Sequence, residues 1–190
     1  MPLKVIETSL PGVLLIEPPI FRDARGFFME TYHQGSYAEA GMGITLVQDN
    51  YSHSKKDTLR GLHYQLRHPQ AKLVFVLCGE IYDVVVDIRR GSPTFGKWVG
   101  TYLSSTNRLQ IFVPQGFAHG FCVLSDTADV IYKCGDFYAP GDEYGIFWAD
   151  PDIGIRWPVT APLLSEKDQR NPLTRAVPGD CLPMYKKHEG

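Results

Sequence analysis

The sequence has no apolar run of about 18 residues, so no segment reads as a membrane-crossing helix. Its opening residues, Met1-Pro2-Leu3-Lys4-Val5-Ile6-Glu7, lack the apolar core of a signal peptide. These absences lead to the expectation of a cytoplasmic protein with no membrane partner. Surplus charge is missing too. Lys and Arg number 19 against 21 Asp and Glu, a formal net charge of -2, and nothing in that balance calls for nucleic acid. Cysteine is sparse: Cys78, Cys122, Cys134 and Cys181 stand far apart, and Cys78 and Cys122 sit in apolar runs. They read as buried thiols, not as a disulfide frame or a zinc site. No Gly-x-Gly-x-x-Gly turn follows a strand-like run, so no nicotinamide cofactor is expected. Repeats, low-complexity segments and a domain boundary are also missing, and residues 1–190 read as one domain with an irregular tail from about Asn171.

What remains is a chain able to bury a sizeable core, 44% hydrophobic and 12% aromatic. Its apolar runs are short. Val13 to Glu17 is stopped by Pro18-Pro19, and Leu73 to Cys78 is closed by the Gly79-Glu80 turn. Ile81 to Ile88 follows, with Asp83 and Asp87 interposed. Lys97 to Leu103, Leu109 to Val113, Phe117 to Leu124 and Asp129 to Cys134 complete the series. Strands at roughly 8–12-residue spacing predict an all-β sandwich or barrel. Helix is expected only over Gln34 to Ala40, before Gly41 and Gly43, and over Leu163 to Gln169, after Pro162.

Two stretches carry the chemistry. Gly61-Leu62-His63-Tyr64-Gln65 offers a histidine amid glycine and aromatics, with Lys72 nine residues on. Val113-Pro114-Gln115-Gly116-Phe117-Ala118-His119-Gly120-Phe121 repeats the pattern around His119. Both suggest strands that line the mouth of a barrel. Around them stand Asp23-Ala24-Arg25-Gly26-Phe27-Phe28-Met29-Glu30, Gln48-Asp49-Asn50, Leu59-Arg60, Lys72-Leu73-Val74, Gly91-Ser92-Pro93-Thr94-Phe95-Gly96-Lys97-Trp98 and Ser165-Glu166-Lys167-Asp168. In this order the chain resembles the dTDP-4-dehydrorhamnose 3,5-epimerase family. Two positions depart from the family pattern: Phe75 stands where Arg is common, and His53 where Arg or a small polar residue is expected.

The resemblance implies a cupin-type jelly-roll β-barrel forming a homodimer. It implies epimerisation at carbons 3 and 5 of a dTDP-4-keto-6-deoxyhexose, with no cofactor. Removing a proton beside a ketone needs a base, a group that holds the enolate oxygen, and an acid on the opposite face. His63 suits the base, because an imidazole ordinarily titrates near pH ~6.5. Lys72 suits the enolate oxygen, an effect often worth a few kcal/mol. By resemblance, Asp168 orients His63 and Tyr132 donates the returning proton. Arg25 and Arg60 hold the diphosphate, for which Arg forks are apt. Glu30, Gln48, Asp49, Asn50, His119, Glu143 and Lys167 supply other polar contacts, and Tyr138 and Phe27 suit stacking on the thymine. The N-terminal β segment, rich in Val, Leu and Phe, is a surface that a partner sheet could cover.

Period-2 alternation sets Arg60 and His63 on opposite faces of a strand. Three resolutions stand open: a bulge at Gly61, a reach around the edge by Arg60, or service of Arg60 in a neighbouring subunit's site. Other functions are weighed by the same residues. The cupin metal pattern wants His-x-His, a carboxylate and a later His; here Gln65 replaces the second His, and Lys72 falls about where the carboxylate belongs. No metal is therefore expected, and a metal-dependent dioxygenase or isomerase fits poorly. A non-catalytic sugar-nucleotide-binding jelly roll would not need His63, Asp168, Lys72 and Tyr132 together. An epimerase of one carbon only, in antibiotic-sugar synthesis, stays open.

Overall fold

A computed structural model describes residues 3–186. Thirteen strands follow the chain: β1 Lys4–Glu7, β2 Leu14–Glu17, β3 Ile20–Asp23, β4 Gly26–Met29, β5 Gln48–Lys55, β6 Leu59–Gln65, β7 Lys72–Cys78, β8 Glu80–Asp87, β9 Trp98–Ser104, β10 Gln110–Val113, β11 Phe117–Val123, β12 Thr127–Cys134 and β13 Glu143–Gly145. Helix α1 spans Gln34–Glu39 and α2 spans Glu166–Gln169. The strands pair antiparallel throughout. One sheet runs β1-β2-β10-β7-β12-β5, a second β13-β6-β11-β8-β9, and β3 and β4 form a separate hairpin. The two large sheets face each other as a cupin jelly roll.

Side-chain parity explains the layers. Val74, Val76, Ile111 and Val130 of the first sheet meet Ile81, Val85, Phe117 and Phe121 of the second in the barrel interior. Alternate residues of the second sheet, Leu62, Tyr64, Val84, Val86 and Cys122, point outward, where Ile146, Ile153, Trp157 and Leu182 of the C-terminal segment cover them. Strand β8 is thus buried on both faces, which is why its run alternates poorly in sequence. A third cluster lies on the outside of the first sheet, where α1 lays Tyr37 against Ile16, Leu73 and Phe112. Asp83 and Asp87 occupy inward-facing positions of β8 and are both fully buried. Asp87 is matched by a bidentate contact from Arg89 and by the hydroxyls of Ser92 and Thr94. The Gly91-to-Trp98 stretch is thereby tied to the buried Asp87.

Two expectations need correcting. The final helix begins at Glu166, not Leu163. Leu163 instead forms a parallel bridge with Thr58, accepting from Leu59 N–H and donating to the Asp57 carbonyl. Ser165 then caps α2, its hydroxyl accepting from Asp168 N–H at 3.1 Å. Cys78 is exposed, not buried, because it ends β7 where the register against β12 shifts. Cys122 and Cys134 are buried as expected, and Cys181 is only half-buried.

Candidate active site

A cavity of ≈ 280 Å³ opens between the two sheets. Its lining gathers nine of the expected residues: Gln48, Asn50, Arg60, His63, Lys72, His119, Tyr132, Tyr138 and Glu143. The gathering rests on one irregularity. His119 pairs with His63 and Phe121 with Arg60, so Gly120 alone faces Gly61 and Leu62. This bulge cancels the alternation and brings Arg60 and His63 to one cavity. Gly61 sits at φ +124, and a Cβ on it would lie 2.5 Å from Gly120 Cα. Only glycine permits that approach.

His63 holds its Nε2 2.5 Å from Asp168 Oδ1. Its Nδ1 is the nitrogen left toward the cavity, 3.9 Å from Glu143 Oε1. Asp168 is buried and arrives from α2, behind the strand. Burial raises its carboxyl, but the hydrogen bond and charge of His63, the Ser165 hydroxyl and the Gly61 N–H outweigh it, and its pKa lies below the ordinary carboxylate value. The docked Leu163 bridge fixes where α2 starts and so where Asp168 stands.

Lys72 heads β7 and faces Cys134 and Glu143. Burial lowers its pKa, and those two neighbours act in the opposite direction. Tyr132 lies in β12 opposite Val74 and Asn50. Burial, then Cys134, pushes its hydroxyl up; Arg60 opposes and Glu143 adds to the rise. The phenol therefore stays protonated through neutral pH. Lys167 lies outside the lining but reaches it through an ion pair with Glu143.

Other expected residues are not brought to this cavity. Asp49 points away and pairs with Lys133 at 2.8 Å. Arg25, Phe27 and Glu30 belong to the hairpin β3–β4 and its exit, all exposed. Arg25 is paired with Asp23, and Phe27 lies under the guanidinium of Arg108, 4.3 Å from the ring centre. Sequence reading passed over Asp83, whose Oδ2 lies 2.8 Å from His119 Nε2 at the cavity floor. Its Oδ1 has no hydrogen-bond partner among the described residues. The signal was present: an aspartate interposed in an apolar run. Ser52, Tyr64, Gln65, Gln70 and Phe121 also line the cavity, though none was expected as a site residue.

Each imidazole thus gives its Nε2 to an aspartate, and a lysine stands in the same cavity, a poor donor set for a divalent ion. Among the described residues no group of three or more His, Cys, Asp or Glu is arranged to hold a metal.

Residues 7–175 match the family model described as dTDP-4-dehydrorhamnose 3,5-epimerase. The chain is 55% identical over 168 residues to the dTDP-4-dehydrorhamnose 3,5-epimerase of Shigella flexneri, covering 87% of this chain and 93% of that protein. It is 56% identical over 167 residues to the protein of that name from Neisseria gonorrhoeae, covering 87% of this chain; it spans only 51% of that longer relative. The crystal structure of the Legionella pneumophila dTDP-6-deoxy-D-glucose-3,5-epimerase in complex with dTDP-4-keto-L-rhamnose matches with a TM-score of 0.95 and 48% identity, over 97% of this chain and 100% of that one.

Proposed function

The chain belongs to the dTDP-4-dehydrorhamnose 3,5-epimerase family of isomerases, and we propose that it converts dTDP-4-dehydro-6-deoxy-D-glucose to dTDP-4-dehydro-L-rhamnose by inverting carbons 3 and 5. The observation that carries this reading is the set His63–Asp168, Lys72 and Tyr132 around one cavity. His63 Nδ1 takes the proton beside the ketone, while Asp168 holds the ring and stabilises the imidazolium that forms. Lys72 holds the enolate oxygen; half-buried, its charge is less screened by water than that of a surface lysine. Tyr132, protonated until it is needed, returns a proton on the face opposite the base. Carbons 3 and 5 flank one carbonyl, so one base and one lysine serve both if the sugar turns between steps. Asp83 fixes the ring of His119, which bonds the sugar from the floor. Neither metal nor nicotinamide takes part. NMR of the product formed in deuterated water tests the reading: deuterium at both carbons and the L-rhamno configuration are expected. Exchange at one carbon alone would overturn it in favour of a single-centre epimerase, and no exchange would favour a binding protein.

The same reading makes the protein a cytoplasmic homodimer. Arg25, Phe27 and Glu30 are expected to meet nucleotide, yet they stand off the cavity on a hairpin paired only with itself and exposing Phe21, Phe27 and Phe28. A hairpin of this kind serves the partner's cavity, with Arg25 on the diphosphate and Phe27 on the thymine. Light scattering tests this, and a stable monomer at micromolar concentration would overturn it.

A further inference from the structure

The loop from Asp136 to Ala139 carries Tyr138 at the cavity mouth, half its surface exposed. Exposed loops commonly leave their backbone groups to water. Here four consecutive residues give backbone groups to three glutamine side chains. Gln70 Nε2 donates to the Asp136 carbonyl at 2.9 Å. Gln65 Nε2 donates to the Phe137 carbonyl at 3.2 Å, and Gln65 Oε1 accepts from Ala139 N–H at 3.0 Å. Gln48 Oε1 accepts from Tyr138 N–H at 2.8 Å. The glutamines come from separate points on the rim: β5, β6 and the segment before β7.

Gln65 is the centre of this arrangement. It borders the cavity yet is 4% exposed. Its Nε2 also donates to the His68 carbonyl at 2.7 Å, so both its amide hydrogens and its oxygen are engaged by backbone. It has no donor left for a ligand. The position that breaks the His-x-His metal pattern is thus occupied by a strut.

We propose that Gln65, with Gln48 and Gln70, is a clamp that presets the Tyr138 loop as a platform for the nucleobase, which makes Gln65 a positioning residue for nucleotide recognition. The proposal rests on the nucleotide-sugar reading above. A loop ordered before binding does not lose its freedom on binding, so the clamp acts on affinity and leaves proton transfer alone.

The test is Gln65→Leu, which keeps the bulk and removes the hydrogen bonds. Calorimetry with dTDP and steady-state kinetics with the sugar nucleotide are run on wild type, Gln65→Leu, Tyr138→Ala and the double variant. For Gln65→Leu the Kd for dTDP and KM should each rise about tenfold, with kcat within about threefold. In the Tyr138→Ala background the same change should move Kd by less than about twofold, because the platform is already gone. Should Gln65→Leu not fold, Gln70→Leu is measured in its place, with a smaller shift in the same direction. Unchanged dTDP affinity, a loss equally large without Tyr138, or a fall in kcat at constant KM would overturn the clamp. A wild-type protein with no affinity for dTDP would overturn the functional reading beneath it as well.

Discussion

Two histidines face each other across β6 and β11, and each bonds an aspartate through Nε2, yet they differ in access and in the source of the partner. The His63 side chain is 27% exposed and its aspartate comes from α2, outside the sheet. The His119 side chain is 7% exposed and its aspartate lies in the same sheet, wholly buried. A base must reach substrate and must be able to change charge. Asp168 has the Ser165 hydroxyl and the Gly61 N–H to steady it through that change. Asp83 has an oxygen with no partner among the described residues and lies opposite Phe121, directly before the buried Val84-Val85-Val86. Residue type alone does not separate the two; what lies behind each ring supports His63 as the proposed base and His119 as the proposed binder.

That contrast breaks first at the histidines themselves. His63→Ala should abolish deuterium wash-in at both carbons, a loss of about 10³–10⁴-fold, whereas His119→Ala should cost about 10–100-fold and still exchange. Equal losses, or near wild-type exchange in His63→Ala, would reverse the roles. The aspartates come next. Asp168→Asn should lower kcat by about 10²–10³-fold, because the ring loses its orienting carboxylate, and Asp83→Asn by about tenfold or less, seen mostly in KM. Steady-state kinetics on the two variants decides this. Tyr132→Phe should leave wash-in at one or both carbons within about tenfold while blocking full conversion, since removing the acid leaves the base in place. NMR of the products reads both effects at once.

The smallest effect concerns stability. The folded Asp168 carboxyl sits below its ordinary value, so between those two values the unfolded chain binds more protons. Its contribution is complete above the ordinary carboxylate pKa of about 3.9 and fades as pH falls through the folded value. Melting temperature against pH should therefore drop less steeply below about pH 4 in Asp168→Asn than in wild type.

The sequence made an all-β sandwich or barrel legible, because runs such as Leu73–Cys78 and Phe117–Leu124 are short, bounded by turn residues and regularly spaced. It also made legible the gathering of His63, His119 and Lys72 at one cavity through their motifs, and that of Tyr132 through the family resemblance. The relation of Arg60 to His63 was not legible. Alternation argues one way, and only the pairing of two glycines across strands shows that a residue has been inserted. Asp83 was visible as a break in an apolar run, but its partner lies 36 positions away and no local pattern links them. The start of α2 was misplaced because Leu163 is claimed by Thr58, a contact that helix propensity does not contain. The glutamine clamp was hidden for the same reason: its bonds run to backbone, which has no identity in sequence.

The Leu163 bridge has a consequence for how the molecule comes into being. His63 and Asp168 are 105 residues apart, and Asp168 is in place only once its segment has docked against Asp57, Thr58 and Leu59. A nascent chain that has emerged only as far as about residue 160 already contains every strand, both histidines, Lys72 and Tyr132. It still lacks Asp168, the carboxylate bonded to the proposed base His63. Asp168 is therefore the last part of the site to be synthesised, after every described strand that lines the cavity.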